Sequence, residues 1–154
     1  CSKSHWDWAN ISPNPREKAS FLKENLLPLK DSGRLNLYDG SDDGFCEDLG
    51  FDLLLVDGHT EKMALPKIKY KGRSILFASD LVPTAGHVPV PYLMGYDVRP
   101  LVTMEEKSRI LKDCFKSETL LFLQHDPYNE IVSLTNTDRG VRIEKSSSLD
   151  DFFS

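Results

Sequence analysis

The sequence predicts an α/β fold of the α+β kind: one mixed β-sheet with helices packed on one face. Three observations carry this. Helical and strand-like stretches follow the order helix, several strands, helix, strands. Two hairpins are written into the turns at Lys71-Gly72 and Asn136-Thr137-Asp138-Arg139. Three apolar runs, FDLLLVDGHT (51–60), SILFASD (74–80) and TLLFLQH (119–125), each close on a polar residue, at His59, Asp80 and His125.

The elements follow in order. Trp6, Trp8 and Ile11, with His5 and Asp7 between them, alternate over too short a stretch to fix an element, and His5 and Asp7 read as structural. Asn14-Pro15-Arg16-Glu17 is a helix start, with a cap, a first-position proline and a glutamate to reach back. Ala19, Leu22 and Leu26 continue at helical spacing, and Pro28 confines that helix to about 15–27. Leu35–Tyr38 is a short strand candidate, and residues 39–48 read as a solvated acidic loop rather than a calcium loop. Phe51–Val56 is apolar at nearly every position, as a strand buried on both faces should be. Met63–Tyr70 and Arg73–Asp80 form a hairpin, and a proline-rich, apolar loop spans 81–102. Thr103-Met104-Glu105-Glu106 reads as a capping box for a helix at 103–116 whose buried stripe is Ile110, Leu111, Cys114 and Phe115. Strands at 119–124, 130–135 and 140–145 follow, and the tail LDDFFS closes the chain as a docking turn. One sheet with one helical layer leaves the second sheet face to be covered, and this chain offers little to cover it.

The bulk composition excludes several functions. With 40% hydrophobic and 28% charged residues the 154-residue chain is globular. A net charge of −5 without a basic stripe excludes nucleic acid binding through phosphate neutralisation. No apolar run approaches the roughly 20 residues of a membrane-spanning helix, so no membrane partner is expected. Cys1, Cys46 and Cys114 are odd in number and form no C-x-x-C pair, which rules out a zinc ribbon and suits a reducing cytoplasm. The chain opens on Cys rather than Met and reads as a single partial domain over 1–154, a piece of something longer.

Imidazole and carboxylate are the ligands that zinc, manganese or iron take where thiolates are absent. Spacings of 21 and 45 residues between His59, Asp80 and His125 are too long for a local finger and suit loops converging at one sheet edge. The series VDGHT, then LFASDLVPT, then LFLQHDP resembles the C-terminal half of a metallo-β-lactamase-fold hydrolase, in the lactonase-like branch. The resemblance covers about 50–127 and implies half of an αββα sandwich. It implies His59 as a first-site ligand, Asp80 as the bridge between two metals, and His125 as a second-site ligand. The family's H-x-H-x-D-H motif, which supplies the other ligands, does not occur, Met63 stands where a second histidine is often found, and Ser79 stands where Gly is common.

The resemblance thus implies metal-dependent hydrolysis of a small-molecule substrate, of the ester or lactone type, by a dinuclear zinc site, with manganese or iron as alternatives. By itself this chain should bind metal weakly and be inactive, with a missing N-terminal half or self-association completing it. The loop after Asp80 is expected to wall the pocket, with His87, Tyr92, Tyr96 and Asp97 as candidates for substrate contact and Asp126 as an orienting residue behind a ligand. The competing expectation is a non-catalytic scaffold or interaction protein that keeps the fold without metals.

Overall fold

In a computed structural model, which describes residues 1–11, 14–39, 44–46 and 50–154, the described strands form one seven-stranded sheet. Its strands are β1 (Gly44–Cys46), β2 (Phe51–Val56), β3 (Met63–Tyr70), β4 (Arg73–Phe77), β5 (Leu120–Phe122), β6 (Ile131–Thr137) and β7 (Gly140–Ser147), and their spatial order is their chain order. The helices are α1 (Lys3–Asn10), α2 (Lys23–Asp31), α3 (Pro100–Lys116) and α4 (Leu149–Phe152). Only β4 and β5 pair in parallel, and a parallel pair needs a crossover, which the proline-rich loop and α3 supply. Both predicted hairpins form. Lys71 and Gly72 take φ of 45° and 79°, the left-handed pair that a tight two-residue hairpin turn demands. The β6–β7 ladder runs two residues further than expected, to Thr137 paired with Gly140.

The main core lies between the sheet and α3. Val56, Leu65, Leu76, Leu121 and Val132 meet Ile110, Leu111 and Cys114 there. Leu53 and Leu55 of β2 are buried as well, so that strand is covered on both sides as its composition predicts. On the opposite face Ile75, Leu120 and Ile131 lie under Leu149, Phe152 and Phe153, so the tail does dock. That docked turn, the four-residue α4, covers part of the second face. Beside it lies an open apolar groove of about 580 Å³ lined by Pro66, Ile68, Tyr70, Phe77 and Phe122.

Five local expectations change. Residues 15–20 form turns, and the helix starts at Lys23. Asn14 Oδ1 does accept from the N–H groups of Arg16 and Glu17, but Glu17 turns inward instead of reaching back. Its buried carboxylate accepts from Trp8 Nε1 at 2.8 Å, from Thr60 Oγ1 at 3.2 Å and from Asn14. Pro28 sits inside α2, where its fixed φ is helical but it forgoes one hydrogen bond and crowds the carbonyl one turn before it. Leu35–Tyr38 yields only a bridge from Tyr38 to Ser2. The acidic stretch 39–48 contributes the edge strand β1, while 40–43 and 47–49 lie outside the described residues. No helix among the described residues is long and apolar enough to cross a membrane.

Candidate metal centre

Strand direction brings the three predicted ligands to one edge. β3 is antiparallel to both β2 and β4, so β2 and β4 point the same way, and β5 runs parallel to β4. Phe77 pairs with Phe122, so Asp80 and His125 each lie three residues beyond one rung. His125 Nε2 is 3.1 Å from Asp80 Oδ1, and His59 Nε2 is 3.4 Å from Asp80 Oδ2. Each oxygen of one carboxylate thus faces a different imidazole. Among the described residues, no group of three or more His, Cys, Asp or Glu side chains is placed to enclose a single ion. The two facts agree, because the donors flank the two oxygens of Asp80 instead of surrounding one point.

The turn carrying His59 is pinned by the start of α3. Gly58 has no room for a side chain: a Cβ there would lie 2.3 Å from the Thr103 backbone nitrogen and 2.4 Å from its Cα. Glu106 does not cap its own helix. Its carboxylate accepts from the N–H groups of Asp57 at 2.7 Å and Gly58 at 3.0 Å. Burial lifts the Glu106 carboxyl above its ordinary range despite those two donors. Burial pushes Asp57 up too, but the Lys62 N–H and ammonium and the Arg99 charge outweigh it and hold Asp57 low. Arg99 donates to Asp57 O and to Glu61 Oε2, and its guanidinium lies over the Trp8 ring.

Asp97 is corrected from a substrate contact to the partner of His59. It is 2% exposed, and its Oδ1 lies 2.9 Å from His59 Nδ1. With Nδ1–H donated to that carboxylate, Nε2 is the ring nitrogen directed at Asp80. Two buried oxygens, Asp80 Oδ1 and Asp97 Oδ2, accept no hydrogen bond among the described residues. Ser79, beside Asp80, holds φ of 47°, a left-handed conformation that favours glycine, and its hydroxyl lies 3.5 Å from Met63 Sδ.

The loop after Asp80 is anchored by a residue the sequence reading passed over. Lys107 of α3 is fully buried, and its ammonium donates to the carbonyls of His87 (3.0 Å), Pro89 (3.2 Å) and Tyr92. Burial pushes its pKa down to about 8 while Asp97 pulls it upward. Between about pH 8 and the ordinary value of 10.5 the unfolded chain keeps a proton on Lys107 that the folded chain has lost. Stability from this group therefore rises with pH across that window. Urea unfolding at several pH values should show the rise in wild type and a flatter profile in Lys107→Met; parallel profiles would refute it.

Other loop candidates fare differently. Tyr92 and Tyr96 are both exposed, and of the two it is Tyr96 that lines the cavity beside Asp80, while His87 bonds Thr84 through Nδ1 at 2.8 Å. Asp126 braces the backbone rather than a ligand ring. Its Oδ2 accepts from Ala85 N–H, and its Oδ1 accepts from Tyr128 and Asn129. Burial raises its carboxyl, but those donors outweigh it and hold it low.

The cavity holds about 350 Å³ and is bounded by His59 and Asp80 on one side and by His5, Arg16 and Phe21 on another. Sequence reasoning placed the pocket wall in the proline-rich loop and missed this one. Asp7 pairs with Lys3, and His5 lines this cavity with its Nδ1 2.6 Å from Glu61 O.

No protein-family model matches the sequence, and no curated protein matches it. Solved structures do match. A probable metal-dependent hydrolase from Staphylococcus aureus is 23% identical with a TM-score of 0.73, over 89% of this chain and 47% of that one. The hydrolase AbOPH in the beta lactamase superfamily is 21% identical with a TM-score of 0.73, over 92% and 52%. AidC, a dizinc quorum-quenching lactonase, is 20% identical with a TM-score of 0.69, over 96% and 54%. The fold is half of a metallo-β-lactamase fold. This chain spans about half the length of the structures it matches. Imidazole, carboxylate and imidazole donors, with a buried carboxylate oxygen left without a hydrogen bond, are of the chemical kind that holds a divalent metal cation.

Proposed function

We propose that this chain supplies His59, Asp80 and His125 to the metal centre of a hydrolase acting on esters or lactones. One observation carries the reading: the Asp80 carboxylate stands between two imidazoles beside a small-molecule-sized cavity, with Oδ1 buried and free of hydrogen bonds. Such a donor set suits zinc and accommodates manganese or iron. Bound there, the metal supplies Lewis acidity that makes water nucleophilic at neutral pH and polarises a carbonyl. The chain's own residues do the rest. Asp97 keeps the His59 proton on Nδ1, Lys107 fixes the loop between Asp80 and Asp97, and Tyr96 borders the substrate cavity.

His59 and His125 would each hold a metal ion on its own side of Asp80, so these three donors alone would hold metal weakly. The open groove at Ile68, Tyr70 and Phe77 is the surface on which a second sheet layer completes the sandwich, whether from the same protein or another copy. Three free thiols, two of them buried, are in keeping with a reducing cytoplasm. The test is metal content and turnover. After dialysis this chain should retain well under two zinc equivalents, and the intact protein carrying both halves should hydrolyse members of an ester and lactone panel. Asp80→Ala should abolish that turnover. Two tightly held equivalents in this chain alone would overturn the half-site reading, and an intact protein with neither zinc nor turnover would leave the scaffold reading in its place.

A further inference from the structure

We propose that Arg16 recognises a compact anionic group, a carboxylate or a phosphate, on the substrate of this site; the inference rests on the hydrolase reading of the cavity. Arg16 is the one Lys or Arg among the described residues lining the cavity that contains His59 and Asp80. Its guanidinium is held in place. Nη2 donates to the backbone carbonyls of Gly95 and Asp97, the latter at 3.0 Å. Nε and Nη1 make no hydrogen bond among the described residues, so donors remain on a group whose position is already fixed. A planar guanidinium with spare N–H groups is matched to carboxylate and phosphate oxygens, and prior anchoring lowers the entropy lost on binding.

The neighbouring groups favour the same assignment. Glu17, next in the chain, does not occupy the guanidinium, because Trp8, Thr60 and Asn14 donate to its carboxylate. Ser20 lines the same wall and offers a hydroxyl donor. His5 Nδ1 lies 2.6 Å from the Glu61 carbonyl, which can only accept, so Nδ1 carries the proton and the ring is fixed against the edge of Phe21, 5.6 Å between centroids. The wall thus combines one fixed cation and a hydroxyl with Phe21, Met63 and Val98 as apolar surface. In a chain of net charge −5, Arg16 is the feature that would select an acid.

The experiment compares three esters of equal length ending in a carboxylate, a phosphate monoester or a carboxamide, hydrolysed by the zinc-loaded intact protein. The kcat/KM ratio of the better anionic ester to the carboxamide ester should be about tenfold or more in wild type, the size of one charge-assisted hydrogen bond. Arg16→Gln should bring that ratio close to one through KM, and Arg16→Lys should restore part of it. Which anion wins identifies the group. An equal loss for all three esters would assign Arg16 only to holding Gly95 and Asp97 and would overturn the proposal, as would a wild-type ratio near one. If no ester is hydrolysed, the hydrolase reading fails separately, and calorimetric titration with succinate and with inorganic phosphate decides: binding lost in Arg16→Gln sustains anion recognition, and no binding to wild type overturns it.

Discussion

Gly58→Ala is expected to destabilise the fold by about 3 kcal/mol or more, the upper range for forcing a methyl into packed surroundings. The new Cβ would lie 2.3–2.4 Å from backbone atoms of Thr103, and a helix backbone cannot yield as a flexible side chain can. Relief requires moving the first turn of α3 away from the 57–60 turn. That motion also strains the Glu106 bonds to Asp57 and Gly58 N–H and the bond from Arg99 N–H to Gly58 O. For a chain of this size the loss should lower the melting temperature by about 10 °C. Urea unfolding monitored by far-UV circular dichroism gives the number directly. A variant within 1 kcal/mol of wild type, roughly the ordinary cost of a tolerated core change, would mean the contact relaxes and the turn is not held by close packing.

That contact marks the boundary of what the sequence discloses. The meeting of His59, Asp80 and His125 was legible because each ends an apolar run, and apolar runs of strand length belong in a sheet whose ends share an edge. The register that sets Asp80 beside His125 adds only that Phe77 and Phe122 are partners. The two hairpins were legible because their turn residues are local signals. The side chains that hold the site were not, because their partners are remote in sequence: His5 meets Glu61, Arg16 meets Asp97, and Lys107 meets carbonyls 15 to 20 residues away. Glu17 and Glu106 show the same cause. Each sits where a capping box would use it, and each instead bonds residues from elsewhere in the chain, Glu17 with Trp8 and Thr60 and Glu106 with the 57–58 turn. A local rule lost to burial in both places.

Asp97→Asn should weaken zinc binding by about 10–100-fold, the usual cost of removing the group behind a metal-binding histidine. The substitution keeps the shape of the side chain but removes its charge. His59 Nδ1–H then faces a neutral amide whose NH₂ end repels it in one of two orientations, so Nε2 is less basic and less firmly aimed at Asp80. A second consequence separates this from simple loosening. Asp97 raises the proton affinity of buried Lys107, so its loss should move the Lys107 transition further below about 8 and extend the alkaline rise in stability to lower pH. Zinc affinity by chelator competition in the intact protein, together with the pH profile of unfolding, tests both. Asp126→Asn is the control, since Asp126 braces Ala85 and the 128–129 turn rather than a ligand ring. Equal losses of affinity in the two variants would remove Asp97 from its role behind His59.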